Sequence, residues 1–277
     1  MFAETIGNIA VNAISANPNL GKEYTGENGL LYCGVCGEPV QQYVEELKNF
    51  LPGGIAPRPC RCTREKFRLQ REENARLKAA ERTAELQRQG FSDAAYRRFT
   101  FDRDNGSSPQ ARAAAEWYVE HFHELRNEGK GMMFIGDTGT GKTFYACCIA
   151  NALIQRGVPV WVTTMQPLLR NAGNFSTADS LFNQIRSVDL LVLDDFGTSV
   201  NSPRNLDLLF ELIDTRCRSG LPLIVTTNLP PDDLKTENLG LKRIYSRIKA
   251  MCCACEKSPV RMFGEDLRVQ SAKAAHA

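Results

Sequence analysis

A glycine-rich octapeptide near the middle of the chain has the composition of a phosphate-binding loop. Residues 136–143 read Gly-Asp-Thr-Gly-Thr-Gly-Lys-Thr and fit the pattern G-x-x-x-x-G-K-[ST]. Glycine lets the backbone wrap closely, so that consecutive N–H groups point at phosphate oxygens. The lysine would reach the β- and γ-phosphates, and the last threonine would offer a hydroxyl to Mg²⁺. The predicted nucleotide-binding residues are Gly136, Asp137, Thr138, Gly139, Thr140, Gly141, Lys142 and Thr143.

Two carboxylates follow an apolar run further along the chain. The run Leu-Leu-Val-Leu ends at Leu193 and continues into Asp194 and Asp195. A buried strand delivers such groups to the carboxyl edge of a parallel sheet, where nucleotide sites lie. Asp194 would then hold Mg²⁺ through water, and Asp195 would orient and deprotonate an attacking water. The alternative is a pair of loop aspartates without a catalytic role.

A third apolar run, Leu-Ile-Val-Thr-Thr, ends in the amide Asn228. An amide can hydrogen-bond both water and the γ-phosphate without adding charge. Asn is common in turns after strands, so the position of this residue after the other two motifs carries the assignment.

These motifs lie in a region where short apolar runs alternate with amphipathic helices. The predicted strands are residues 132–135, 160–164, 188–193, 223–227 and 260–263. The predicted helices between them include 142–156, 176–187, one opening at 202–203, and 241–250. This alternation predicts an α/β fold with a parallel sheet that carries helices on both faces.

Ten cysteines are unusually many for a chain of 277 residues. Cys33 and Cys36 form C-x-x-C, and Cys60 and Cys62 form C-x-C, which together would make a closed tetrahedral zinc site with a structural role. Unpaired or redox-active thiols are the alternative. The remaining six comprise three predicted core residues, Cys147, Cys148 and Cys217, and a terminal group, Cys252, Cys253 and Cys255, that lacks a fourth ligand for a second metal site.

Composition and charge exclude several classes of protein. The chain is 43% hydrophobic and 24% charged with a formal net charge of +2, which argues against wholesale disorder and against a bulk polycation. It holds no apolar run near the roughly 20 residues of a membrane helix, and no secretion signal is visible in its first 20 residues. We therefore expect a cytoplasmic protein without a membrane partner.

The pattern predicts three parts. Residues 1–62 would form a small zinc-binding module, 63–94 a charged connector helix, and 95–277 the nucleotide-binding domain. The connector is rich in Arg, Glu, Lys and Gln, so that it is either a solvated helix or a helix that binds a partner.

The order of phosphate loop, acidic strand end and polar strand end resembles the AAA+ branch of P-loop ATPases. Gly-Asp-Thr-Gly-Thr-Gly-Lys-Thr, Leu-Asp-Asp-Phe-Gly and Thr-Thr-Asn resemble in particular the bacterial and phage DnaC/DnaI-type helicase loaders, with the transposon-encoded IstB-type ATPases as near relatives. The likeness covers roughly residues 95–268. It implies an AAA+ domain with a reduced lid, ATP and Mg²⁺ as cofactors, and ATP hydrolysis that is slow and stimulated by assembly or DNA.

The resemblance also implies roles for three arginines. The segment Arg-Ile-Tyr-Ser-Arg-Ile is similar to the one that carries an arginine finger, which would be Arg247, with Arg243 as the fallback. The segment Phe-Gly-Glu-Asp-Leu-Arg resembles the terminal motif whose arginine, here Arg268, senses the γ-phosphate. General AAA+ proteins carry Glu where Asp195 stands, and the shorter side chain would slow hydrolysis.

The resemblance implies a partner protein as well. The leading hypothesis is a loader that binds a hexameric replicative DNA helicase through the zinc-binding module, assembles into an ATP-dependent spiral, and places the helicase on single-stranded DNA in replication initiation or restart. Arg170, Asn171 and Asn174 are candidates for the DNA contact, and a solvated loop is the alternative there. The competing hypotheses are an IstB-type helper that remodels target DNA and recruits a transposase, and an adaptor that binds ATP without hydrolysing it.

Overall fold

The computed structural model describes residues 22–197, 202–229, 238–253, 255–264 and 266. The chain divides into two compact units, Met1–Ala80 and Glu81–Ala277. Their boundary in the sequence falls inside the predicted connector. The three-part division with its functional assignments stays a prediction.

The first unit is built from very short elements. Its strands are β1 (Glu23–Thr25), β2 (Leu31–Cys33), β3 (Gln41–Tyr43) and β4 (Ile55–Pro57), with 3₁₀ turns at Glu45–Leu47 and Pro52–Gly54. β1 pairs with β2 and β3 with β4, both antiparallel. Among its residues from 22 onward, the buried core cluster consists of Cys33, Val40 and Cys60. So few apolar contacts do not stabilise a fold of this size by themselves.

Helix α1 (Arg61–Gly90) is charged along most of its length. Arg68 pairs with Glu65 and Glu72 one turn away on either side, at 2.6 and 2.7 Å. The helix ends at Gly90, where an added Cβ would lie 2.7 Å from the carbonyl oxygen of Val160. The helix thus ends within residues 63–94, and Phe91, which follows it, packs in the core of the second unit.

The second unit is an α/β fold. After 3₁₀ turns at Ala94–Arg98 and Phe101–Arg103 come α2 (Pro109–Glu120), α3 (Phe122–Asn127), β5 (Met132–Gly136), α4 (Lys142–Gln155), β6 (Val160–Thr164), α5 (Met165–Ala172), α6 (Phe175–Ser187), β7 (Leu190–Phe196), α7 (Pro203–Arg218), β8 (Leu223–Thr227), α8 (Leu239–Cys252) and β9 (Val260–Met262). The five strands form a parallel sheet in the order β6-β7-β8-β5-β9.

Helices cover both faces of this sheet, which confirms the predicted fold class. Successive residues of one strand point to opposite faces: Met132 and Phe134 join the core under α2, α3 and α4. Met133 and Ile135 join the core under α5, α6, α7 and α8. The strands are buried on both sides and read as continuous apolar runs for that reason. The predicted reduced lid concerns residues beyond the last described one.

One predicted boundary is wrong in a way that concerns the site. The third strand was expected at 188–193 with the two aspartates after it, but β7 runs over Leu190–Phe196 and contains both. Among the described helices, none has the length and apolarity needed to cross a membrane.

Candidate nucleotide and metal sites

The phosphate-binding loop lies between the end of β5 and the start of α4. Gly136 closes the strand and Lys142 opens the helix. Gly139 and Gly141 have φ of 80° and 94°, a region that favours glycine. The free N–H groups at the start of α4 and its positive dipole end therefore face the loop, which makes it an anion site.

Side chains brace this loop from within. The Lys142 ammonium donates to the carbonyl of Asp137 at 2.5 Å, and the Thr140 hydroxyl donates to the same oxygen at 2.8 Å. Lys142 is 5% exposed. Its charge is thus held across the loop rather than in solvent, while Asp137 and Thr138 are exposed at the rim.

The chain after β9 runs against the loop. The N–H of Asp137 donates to the carbonyl of Met262 at 3.1 Å. A Cβ added at Gly136 would lie 1.6 Å from that carbonyl oxygen, and one at Gly139 would lie 2.0 Å from a carboxylate oxygen of Asp266. Both glycines are therefore required by close approach as well as by conformation.

A β-bulge places the two aspartates. Leu193 pairs with Val225 and Phe196 with Thr227, so that two residues of β7 lie opposite one residue of β8. Asp195 has φ of 52°, and its N–H donates to the Thr226 hydroxyl at 3.0 Å. Asp and Asn adopt this left-handed region more readily than Glu does, which is a structural reason for Asp at this position.

Three hydroxyl groups surround the carboxylate of Asp194, which is 2% exposed. Thr143 and Thr226 donate to Oδ1 at 2.8 and 2.6 Å. Tyr96 donates to Oδ2 at 2.9 Å. Burial and the adjacent carboxylate of Asp194 raise the pKa of Tyr96, so that its hydroxyl keeps its proton. The structure thus brings together the predicted magnesium residues Thr143 and Asp194.

Asn228 emerges at the same edge of the sheet. It is exposed and directly follows β8, which lies between β7 and β5. The carboxyl ends of parallel strands meet at one edge. Asn228 therefore lies between the strand that carries Asp194 and the strand that leads into the phosphate loop.

Two of the three arginines that the resemblance assigns lie on helix α8. Arg247 on α8 donates from Nε to a carboxylate oxygen of Asp214 on α7 at 2.8 Å and stacks on Phe210, 4.5 Å from the ring centroid. Arg243 is exposed one turn earlier on α8. Arg268 lies outside the described residues.

The four predicted zinc ligands meet in the first unit. The Sγ atoms of Cys33, Cys36, Cys60 and Cys62 all lie within 4.8 Å of one another. Four thiols at this spacing fit the tetrahedral Zn–S geometry of structural zinc sites. Glu38 links the segment of Cys33 and Cys36 to the segment of Cys60 and Cys62, because its carboxylate accepts from the backbone N–H of Arg61 at 2.6 Å.

The electrostatics of this cluster favour one thiolate. The backbone N–H of Glu38, which donates to Sγ, lowers the pKa of Cys36 to about 6. The hydrogen bond that Cys62 makes with Cys36 raises the pKa of Cys62 to about 11. A bound cation would replace the shared protons.

The remaining cysteines of the described residues lie outside this cluster. Cys147 and Cys148 are buried in α4, and burial raises the pKa of both thiols. Cys252 donates to the carbonyl of Leu223 at 3.1 Å, and Cys255 packs in the core of the second unit. Of the residues considered for DNA binding, Asn174 caps α6 by accepting from the N–H of Ser176, which gives it a structural role.

Two site residues were missed by the sequence analysis. Thr226 stood within the Thr-Thr-Asn motif but was given no role, although alternation along a strand places it beside Asp194. Tyr96 is 98 positions from Asp194 in the chain, and no spacing pattern connects the two. Only the packing of the segment before α2 brings its hydroxyl to the carboxylate.

Comparison with known proteins now adds to this geometry. The model of the family described as IstB-like ATP binding protein matches residues 68–240, well over half of the chain. The chain belongs to this family. ATP is therefore the nucleotide that the phosphate loop of this IstB-like chain is built to bind.

Curated relatives of this IstB-like chain carry names from DNA replication. It is 28% identical over 186 residues to the replicative helicase loader DnaI of Bacillus subtilis, covering 61% of this chain and 58% of that one. It is 31% identical over 146 residues to the replicative helicase loader DnaC of Escherichia coli, covering 50% and 57%. The matches thus span less than two thirds of these relatives' own lengths.

A solved structure is similar in fold. The crystal structure of a DnaI protein covers 64% of this chain and 95% of its own, with a TM-score of 0.53 and 24% sequence identity. The predicted likeness to DnaC/DnaI-type loaders and IstB-type proteins is confirmed by these matches.

Proposed function

We propose that the protein is an ATP-dependent loader that binds a hexameric replicative DNA helicase and places it on single-stranded DNA in replication initiation or restart. The observation that carries the proposal is that the curated relatives, including DnaI and DnaC, are named replicative helicase loaders. The nucleotide site at the edge of the parallel sheet supports it, since such a loader needs a switch that ATP can set.

The residues of the site divide the chemistry as follows. The backbone N–H groups of residues 136–143 bind the phosphates, and Lys142 neutralises charge on the β- and γ-phosphates. Thr143 and Asp194 would hold Mg²⁺, which screens the phosphate oxygens when bound. Asp195 orients and deprotonates the attacking water, and Asn228 hydrogen-bonds that water or the γ-phosphate.

The first unit would serve as the helicase-docking module. Cys33, Cys36, Cys60 and Cys62 fit zinc by number, chemistry and spacing. With all four positions filled by thiolates, the ion has no open site for catalysis and stabilises the fold. ATP binding orders neighbouring subunits into a spiral, and hydrolysis releases the helicase.

The decisive experiment is capture of the cognate replicative helicase by the full chain with ATP, with ADP and without nucleotide. We expect a complex whose amount depends on the nucleotide, and transfer of the helicase to a single-stranded circle in the presence of ATP. If no ATP-sensitive complex with the helicase forms, the proposed loader function is wrong.

A second candidate is an IstB-type helper in transposition, which the description of the matching family favours. It predicts strong bending of duplex DNA and stimulation of a transposase, with no capture of the helicase. Binding to a bent duplex in the same ATP series therefore separates the two candidates.

Lys142→Ala is expected to lower single-turnover ATP hydrolysis about 10²- to 10³-fold, because one preorganised positive charge on the transferring phosphate is lost. Lys257→Ala is the control, since Lys257 is an exposed lysine that pairs with Glu256. Equal rates in wild type and Lys142→Ala would identify an adaptor that binds ATP without hydrolysing it.

Asp195→Asn is expected to lower hydrolysis about 10²-fold or more while ATP binding and thermal stability hold. Asn tolerates the φ of 52° at this position and keeps the N–H bond to Thr226, while an amide replaces the basic carboxylate. Nucleotide binding and single-turnover hydrolysis measured on the same sample check this. Unchanged turnover would mean that another group activates the water.

A further inference from the structure

The segment that leads into α2 reaches the nucleotide site through one side chain. Tyr96 lies in the 3₁₀ turn Ala94–Arg98, and its hydroxyl donates to Oδ2 of Asp194 at 2.9 Å. The other carboxylate oxygen, Oδ1, accepts from Thr143 and Thr226. Tyr96 is thus the donor that determines how the second oxygen is turned.

The backbone that carries Tyr96 is held as well. Asn151 on α4 is 3% exposed, and its Nδ2 donates to the backbone carbonyls of Tyr96 and Phe99 at 3.0 and 2.9 Å. The rings of Tyr96 and Phe99 pack with centroids 6.0 Å apart. A donor held this firmly orients an acceptor instead of following it.

We propose that Tyr96 is a positioning residue for the predicted magnesium ligand Asp194, holding Oδ2 in the orientation in which the carboxylate accepts from the water shell of the cation. The inference rests on the proposed ATPase function. Thr143 and Thr226 cannot do this in its place, because both donate to Oδ1, whereas Tyr96 donates to Oδ2. Outer partners of this kind typically change metal affinity 10- to 100-fold.

The test is Tyr96→Phe, which removes one oxygen and keeps the ring packing. Binding of a fluorescent ATP analogue is measured across a Mg²⁺ titration and in EDTA. We expect the Mg²⁺ concentration at half-saturation to rise about 10-fold, with affinity in EDTA unchanged.

Tyr145→Phe is the matched control. Tyr145 is a buried tyrosine of the second unit whose hydroxyl likewise donates to a carboxylate, that of Asp104, at 3.0 Å. It lies outside the nucleotide site. We expect it to lose thermal stability as Tyr96→Phe does, because each loses one hydrogen bond, and to leave the Mg²⁺ titration unchanged.

A double-mutant cycle completes the design. In an Asp194→Asn background, Tyr96→Phe should shift the Mg²⁺ midpoint no further, since its effect passes through that carboxylate. An unshifted midpoint in the single variant, equal shifts in both tyrosine variants, or additive effects in the cycle would each overturn the role of Tyr96. A wild-type protein that binds no ATP would instead overturn the proposed function itself.

Discussion

Arg247→Ala is expected to lower assembly-stimulated ATP hydrolysis about 10³-fold and to leave ATP binding by the isolated chain intact. The reason is that an arginine inserted from a neighbouring subunit would stabilise charge on the transferring phosphate. A factor of 10³ corresponds to about 4 kcal/mol. Within its own chain Arg247 is held by Asp214 and Phe210.

The strength of those contacts decides whether Arg247 can leave Asp214 and Phe210 to reach the nucleotide of a neighbouring subunit. The side chains of Arg247 and Asp214 are 32% and 26% exposed, and partly exposed ion pairs contribute about 0.2–1 kcal/mol. The stacking on Phe210 adds about 0.5–1 kcal/mol. Release therefore costs less than the expected gain at the transition state, so that the contacts within the chain restrain Arg247 without blocking its proposed role.

Complementation tests whether the arginine acts between subunits. Arg247→Ala keeps a complete nucleotide site, and Lys142→Ala keeps the arginine. Each variant alone is expected to be inactive, and an equimolar mixture is expected to regain part of the hydrolysis rate. Arg243→Ala, one turn away on the same exposed side, is the control and should retain activity.

Two outcomes would reassign this residue. Loss of activity in Arg243→Ala, with complementation by Lys142→Ala, would make Arg243 the finger. Equal thermal destabilisation by Arg247→Ala and Asp214→Asn, without loss of hydrolysis, would make Arg247 a structural partner of α7.

Cys60→Ser is expected to unfold the first unit and leave the second unit folded. Val40 is the largest aliphatic side chain buried in the described part of the first unit, and burying it contributes about 1.5–3 kcal/mol. Ordering the backbone costs about 1–2 kcal/mol for every residue. Binding of structural zinc by four thiolates supplies about 10–16 kcal/mol in small zinc peptides, several times what the burial of Val40 contributes.

The measurements are the zinc content of the purified chain and hydrogen exchange in the two units. We expect one zinc ion in each wild-type chain, none in Cys60→Ser, and loss of amide protection confined to the first unit. Cys217→Ser is the control, because Cys217 is a half-buried cysteine of the second unit outside the cluster. A wild-type protein without zinc whose first unit remains protected would contradict the zinc assignment.

The elements that the sequence predicted best are the buried strands. β6 and β8 have the predicted bounds, 160–164 and 223–227, because a strand buried on both faces is a continuous apolar run between polar turns. The phosphate loop could be predicted equally well, since its glycines and lysine have to stand at a fixed spacing within eight residues. An element can be predicted from the sequence where the residues that determine it are close together in the chain.

The features that sequence did not predict depend on distant partners. The bulge in β7 arises from pairing with β8, and nothing within Leu-Asp-Asp-Phe marks it. Arg216 is fully buried, although an arginine in the last turn of a helix is normally solvated. It donates to the backbone carbonyls of Ile185, Val188, Asp189 and Pro222, and burial lowers its pKa to about 10.

The donors around Asp194 have a consequence for its charge. The hydrogen bonds that its carboxylate accepts from the described residues Thr143, Thr226 and Tyr96 come from neutral hydroxyl groups. A lysine or arginine in the place of Tyr96 would orient the carboxylate equally well but would neutralise it. Hydroxyl groups separate these two effects, because they fix the direction of the carboxylate and bring no positive charge of their own to it.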